Sequence, residues 1–486
     1  MWCWVEVAAL AAVAPCLLFP RLPTVGVAVI LPCLWLVRGL LTGRFLPSSP
    51  LNLLLLPLLI MVAVSVWATP DLEFSLGKIA GTLLGIFVLE VGSGWISTWR
   101  RLVVAVALWA ASGVALALLA LFALPLRPRY AILAPLIDLL PARLELSVPP
   151  GSLNPNPMGG TMLLFLPLLL VAAWMLRGGK AAAGLPSRAA GLLTTAAWLG
   201  TVAAAGLCAL VLVLTQSRGA WAGFLAGCLF LTCLRFRRLG RVLVVLAGLV
   251  LLVAAFYVVV AGESEGVEET LTESSSGIGL EARLEIWDRA IYGIQDFAFT
   301  GMGMNMFRRV VHLLYPLFVV PPETDIASAH NQWLQTALDL GIPGLVAYVA
   351  LWAAVIRILL HAGRTASRPW GWWLAAALAA GLVSQFTFLQ ADSIPLGAKL
   401  GGLWWVAVCL GVALYRIQGC RVCLGAWATL EVLMLWALSS LAAIALVSEC
   451  PYVALVLAGG GGVYVGWLAT PPPPAKPPAG PAEGKA

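Results

Sequence analysis

Charge is what this chain has least of. Only 10% of its 486 residues are Asp, Glu, Lys or Arg, 61% are hydrophobic, and the mean hydropathy is +0.97. A soluble domain carries about 25% charged residues, so the composition excludes a water-soluble enzyme. Histidine is nearly missing, with only His312, His330 and His361. No HExxH, paired Cys/His spacing or Asp-rich run accompanies them, so no metal signature is present and no cofactor is expected. The ten cysteines are scattered, mostly within apolar stretches where cysteine acts as a small packing residue. Cys420 and Cys423 form a lone CxxC, a weak zinc or redox signal without a second pair.

What the chain has in quantity is apolar sequence. Windows near 20 residues, each able to cross roughly 30 Å of hydrocarbon, recur along it. They fall at 4–20, 24–41, 51–68, 76–94, 102–124, 158–176, 190–214, 218–234, 242–261, 341–360, 371–391, 397–415, 424–447 and 452–469. The expectation is an all-α polytopic membrane bundle of about 14 transmembrane helices over residues 1–469. The charges agree with this layout. Arg100 with Arg101, Arg177 with Lys180 and Arg188, Arg235 with Arg237, Arg238 and Arg241, and Arg357 with Arg364 and Arg368 all fall on alternate connections. Lys and Arg mark cytoplasmic loops, so both termini are expected inside. The net charge of +7 then reflects topology and implies no nucleic-acid partner. The first apolar stretch runs straight into a second, so no cleavable signal is expected. Residues 470–486 (TPPPPAKPPAGPAEGKA) read as a disordered, Pro-rich cytoplasmic tail.

One long polar interruption stands out, residues 262–340, expected on the extracytoplasmic side. A loop of that length is a functional lid or a tether. It opens with the acidic, Ser-rich GESEGVEETLTESSSG, which reads as a tether, and becomes helical from Gly279 to Phe297. There Leu280, Leu284, Trp287, Ile291 and Ile294 recur at the spacing of one helical face. Arg283 flanks that stripe and should be held near whatever it packs on, whereas Arg289 falls on the side expected to meet water. The glycines of TGMGMNMF suggest a turn, and the chain returns through His330 into a further helix.

Arg218 follows TQS at the expected extracytoplasmic start of a span. A helix N-terminus already carries positive potential, so an arginine there makes sense if an anion binds, because both groups hold phosphate. The bland alternative is a side chain snorkelling to lipid phosphate. Gly219, Gly223 and Gly227 follow at four-residue steps, a face for close helix approach. His330, at the mouth of the bundle, suits proton transfer near neutral pH, or is simply a polar helix start. Asn154, Pro155, Asn156 and Pro157 would at least start a helix. Lys78 and Lys399 suit anchoring to lipid headgroups, Asp392 reads as a surface turn residue, and Glu431, inside a span, has no evident role.

The stretches NPNPMGG (154–160), TQSRGAWAGFLAG (215–227), ARLEIWDRAIYGIQDFAFTGMGMNMF (282–307) and HNQWLQTALDLGIPGL (330–345) together resemble the O-antigen ligase family. The resemblance spans roughly residues 50–415, in family order. It implies a GT-C-like membrane bundle of the bacterial inner membrane with its active site outside. It also implies a metal-independent glycosyltransferase that moves a glycan from an undecaprenyl-diphosphate donor to a hydroxyl of a lipid acceptor such as lipid A-core. Arg218 and Arg283 match the family's diphosphate-binding arginines, and His330 matches the loop histidine that orients or deprotonates the hydroxyl. Arg289, the rival to Arg283, and Asn156 and Asn331 complete the expected diphosphate-binding set. The last two spans look like additions. A polymerase of the same superfamily, with a glycan acceptor, and a protein O-oligosaccharyltransferase would use the same donor. A transporter would instead place ionisable residues near mid-membrane.

Overall fold

The computed structural model describes residues 2–18, 24–43, 45, 49–140, 154–177, 187–236, 238–244, 246, 280–420 and 424–470, which are helical with no strand. Before the loop come α1 (Trp2–Leu18), α2 (Thr24–Thr42), α3 (Asn52–Ala68), α4 (Leu72–Trp95), α5 (Trp99–Ala123), α6 (Ala134–Asp138), α7 (Pro155–Leu176), α8 (Ser187–Leu214) and α9 (Arg218–Arg235). The loop contributes α10 (Leu280–Asp296) and α11 (Phe307–Leu314). After it follow α12 (Gln332–Arg364), α13 (Pro369–Phe388), α14 (Gly401–Ile417), α15 (Ala426–Val447) and α16 (Pro451–Ala469). Each expected window coincides with a helix except 242–261, most of which lies outside the described residues. The acidic run at 263–276, Cys423 and the Pro-rich residues 471–486 also lie outside them.

Among the described residues, eight helices are long and apolar enough to cross a membrane. Shorter apolar helices at Val29–Thr42, Asn52–Ala68 and Gly401–Ile417 accompany them. The expected count of about 14 thus resolves into full-length crossings and shorter pieces. The centre is α12, whose apolar window is 89% buried, against 22% for α5 and for α15. Starts are set by capping residues whose side chains accept a first-turn N–H. Asp71 accepts from Phe74, Thr98 from Arg101, Asn154 from Asn156 and Ser217 from Ala220.

Apolar surface gains little by association in lipid, so close approach decides which helices pair. The glycine face of α9 does this against α13. A Cβ at Gly223 would stand 2.4 Å from the Ser384 carbonyl oxygen, and one at Gly227 2.0 Å from Ser384 Oγ. The same device seats the last helix on the centre. A Cβ at Gly462 of α16 would come within 2.7 Å of Val346 O, and one at Gly466 within 2.1 Å of Ala350 O, both on α12. Beside the main core, Ile286, Ala290, Ile294 and Met302 of the loop form a second one with Leu338, Ile342 and Val346 of α12, Ala443 and Val447 of α15, and Ala454 and Ala458 of α16. The final helices help to seat the loop. Glu431 is exposed on α15, and nothing in the structure explains it.

Candidate active site

The loop is fastened into a break in α12. Gly341 has φ +71 and ψ 176, and Pro343 follows without an N–H. An unbroken helix would join Ile342 N–H to Leu338 C=O. Here the bond is open and the loop takes both ends: Met302 N–H donates to Leu338 O (2.7 Å), and Ile342 N–H donates to Ala298 O (2.8 Å). Only glycine fits the junction. A Cβ at Gly341 would lie 2.1 Å from Phe299 O, and one at Gly301, itself at φ +68, 2.6 Å from Gly341 N. The LGIPG and TGMGM motifs are therefore two halves of one joint. Inside it, buried Asp339 accepts from Asn305 N–H (3.0 Å) and Gln335 Nε2 (2.9 Å). Lys78, expected among headgroups, is half-buried on α4 and feels the opposite charge of Asp339. Lys399 is exposed.

At the start of α12 the chain turns sharply. His330 is buried with φ +47, the left-handed region that non-glycine residues rarely occupy and that recurs at functional sites. Its Nδ1 faces Asp392 Oδ1 at 3.3 Å. Asp392 was expected on the surface but is 5% exposed. Polar neighbours fix this pair. Ser393 N–H donates to Asp392 Oδ1 (2.8 Å), Ser328 and Ser393 share a hydroxyl bond (2.7 Å), and Ile394 N–H donates to Gln332 Oε1 (2.9 Å). Asn331 caps α12, accepting from Trp333 and Leu334 N–H, while its Nδ2 donates to Gln390 O (2.8 Å). That amide holds the two turns together.

Arg283 reaches the same turn, its Nη1 donating to Ala391 O at 2.6 Å, while its buried Nε has no protein partner. The helix carrying it is rotated from the expected stripe. Leu284 is 52% exposed, whereas Ile286 and Ala290 are fully buried. Ile291 and Ile294 of that stripe are buried and Trp287 packs beside them, but the small residues Ala290 and Gly293 join the contact and shift its centre. A Cβ at Gly293 would stand 2.3 Å from Met302 and 2.9 Å from Leu338. At about 100° per residue, Arg283 falls in line with Ile286 and Ala290, so it heads the buried face instead of flanking it. Arg289 goes elsewhere and does not point to water. Its Nη1 meets Asp288 (2.6 Å), its Nε donates to Pro316 O (2.7 Å), and its guanidinium lies over Tyr292 and Phe318.

The other two motifs arrive from the bundle. Arg218 is exposed as the first residue of α9, after Gln216 at φ +50. The next residue, Gly219, faces the Phe388 ring, with 3.5 Å from its would-be Cβ. Asn156 is buried at the start of α7, where Gly159 abuts Thr215, Ser217 and Ala220 and Gly160 abuts Phe388. Residues 388–392 are thus a hub: α7 and α9 pack on Phe388, Gln332 N–H donates to Leu389 O, Asn331 holds Gln390, Arg283 holds Ala391, and His330 faces Asp392. Sequence reasoning missed Asp392 and its frame of Ser328, Gln332 and Ser393. The available signal was QADS, a short polar break between two spans. Among the described residues no group of His, Cys, Asp and Glu is arranged to hold a metal ion.

A bundle of crossing helices with one polar end, where a loop helix, three helix starts and the turn after α13 converge, defines a multi-pass membrane protein with a candidate site. Residues 203–349 match the family model described as O-antigen ligase. Over that stretch, under a third of its length, the chain is similar to the O-antigen ligase family. The matched stretch takes in Arg218, Arg283, Arg289, His330 and Asn331, and leaves Asn156 and Asp392 outside it. No curated protein matches the chain.

Proposed function

We propose that this chain is an O-antigen ligase-type glycosyltransferase on the outer face of the bacterial cytoplasmic membrane. It moves a glycan from an undecaprenyl-diphosphate carrier to a hydroxyl of a lipid acceptor such as lipid A-core. The observation that carries this reading is the pairing of His330 with Asp392 on the turn whose Ala391 carbonyl holds Arg283. With Nδ1–H directed at the carboxylate, Nε2 keeps its lone pair and acts as the base. The acceptor oxygen bonds to the anomeric carbon as its proton passes to Nε2. The bond from that carbon to the diphosphate breaks, and the electron pair leaves with the phosphate oxygen. Arg283, whose Nε has no protein partner, and Arg218 offer guanidinium charge where the leaving group gains negative charge, an electrostatic contribution that commonly dominates such steps. A single displacement of this kind inverts the anomeric centre.

The test uses purified protein, an undecaprenyl-diphosphate glycan, and lipid and glycan acceptors in competition, with products read by mass spectrometry. A glycolipid product is expected, whereas extension of a second carrier-linked glycan would make the chain a polymerase. Transfer is expected to persist in EDTA, and strict dependence on a divalent ion would overturn the proposed metal-free step. Undiminished transfer by a variant carrying Arg218→Ala, Arg283→Ala and His330→Ala together would overturn the assignment of the site.

A further inference from the structure

The segment between α5 and α7 has no part in the reading above, yet it is tied directly to the site. Gln216, two residues before Arg218 and 3% exposed, uses its side chain on that segment alone among distant contacts. Its Oε1 accepts from Arg129 N–H (2.7 Å) and Tyr130 N–H (3.2 Å), and its Nε2 donates to Arg127 O (2.7 Å). Tyr130 then stacks on Trp221 of α9, with centroids 5.9 Å apart and planes at 29°. Trp221 lies two residues on from Gly219, about 200° round the helix, so the segment flanks the site on the side of α9 away from Phe388. Beyond Tyr130 the chain makes a 3-10 turn and the short α6, with Ile132 86%, Leu136 36% and Leu139 81% exposed. These three exposed apolar side chains are preceded by exposed Arg127 and half-buried Arg129.

We infer that residues 127–139 dock the lipid end of the acceptor: a membrane glycolipid whose headgroup phosphate meets Arg127 and Arg129 while its acyl chains lie along Ile132, Leu136 and Leu139. This rests on the transferase reading and adds where the acceptor's anchor docks. A glycolipid acceptor stays anchored in the leaflet while its sugar reaches His330, so its anchor belongs beside the site and not within it. Guanidinium groups recognise phosphate through paired, charge-assisted hydrogen bonds, and the neighbouring apolar side chains supply the other half of an amphiphile's shape. Gln216 holds this surface at a fixed offset from Arg218.

Full-length protein in phosphatidylcholine nanodiscs is offered phosphorylated lipid A-core, the same glycolipid after dephosphorylation, or phosphatidylglycerol. Lipid retention is read by native mass spectrometry and transfer by steady-state kinetics. The wild type is expected to retain the phosphorylated glycolipid over both others, and R127A/R129A to lose that preference. Its KM for the phosphorylated acceptor should rise about tenfold or more, as loss of a charge-assisted contact implies, with kcat and the donor KM held and no change for the dephosphorylated acceptor. I132S/L139S should weaken retention of both glycolipids alike. Equal retention of all three lipids by the wild type would mean bulk interfacial anchoring only and would overturn the inference, as would an R127A/R129A variant with unchanged preference. Selective retention without transfer would remove the transferase reading and leave the docking surface standing. Transfer with no effect of R127A/R129A would do the reverse.

Discussion

Arg283 and Arg289 stand less than two turns apart on one helix and meet opposite surroundings. Arg283 heads the buried face, reaches a backbone carbonyl beside Asp392 and keeps a buried N–H without a protein partner. Arg289 is enclosed by Asp288, Glu285, Pro316, Tyr292 and Phe318, so its charge and donors are committed to the loop. A guanidinium that is already neutralised and stacked adds little to the binding of an anion, while one aimed at a site with a donor to give adds much. One helix therefore joins two regions, an end that keeps a donor to give and an end whose charges are spent within the loop.

The largest expected effect separates the two ends. Arg283→Ala should lower kcat by about 10²–10³, as removal of one charge-stabilising donor does elsewhere, whereas Arg289→Ala should keep transfer within about threefold. Equal losses would erase the distinction. Asp392→Asn should lower kcat by about 10², the lower end of general-base contributions, with donor affinity held. An unaltered rate would show that His330 works without its carboxylate. Gly341→Ala puts a side chain at positive φ against Phe299 O, a change expected to cost more than about 1 kcal/mol. Limited proteolysis should find the loop opened in that variant before the bundle is.

A smaller effect follows pH at the Arg289 end. Burial pushes the Glu285 carboxyl up, but the N–H groups of Phe318, Val320 and Val319 and the Arg289 charge outweigh it and hold the group below its ordinary value. A depressed carboxyl contributes stability that is complete above its unfolded pKa, about 4.3, and that is lost as pH falls through the folded value. Hydrogen-exchange protection at residues 318–320, after division by the intrinsic rate, should be constant from neutral pH to about 5 and fall relative to Glu285→Gln only once pH drops below the ordinary carboxyl range. A pH-independent difference would point to packing instead. Smallest of all, Asn331→Ala removes a helix cap worth about 1 kcal/mol and should lower thermal stability modestly.

The helical, membrane-spanning character of the chain was legible because apolar runs of spanning length are a local property. The α9 seam was legible for the same reason, since three glycines at four-residue steps announce close approach by themselves. His330, Arg218 and Arg283 stood out as ionisable residues beside motifs. Asp392 did not, because the short polar break QADS marks a turn but not the partner 62 positions away that buries the aspartate. The α10 stripe was right at Ile291 and Ile294 and off at Leu284 for a related reason. Large side chains dominate a periodicity, yet Ala290 and Gly293 let the helix settle on Met302 and Leu338. The glycines of α16 carried the signal seen in α9, but only the structure shows that their counterpart is the central helix.

The joint at Gly341 also bears on biosynthesis. The chain emerges from the ribosome loop first, yet the backbone groups that receive the loop belong to α12, and its apolar seat is finished only by α15 and α16. The indole N–H of Trp436 on α15 even donates to Pro343 O, one residue past the open bond (2.9 Å). The loop is made early and finds its full set of partners at the end of synthesis. A chain interrupted after α14 would hold the loop through α12 and the turn after α13 alone, without the apolar seat that α15 and α16 complete.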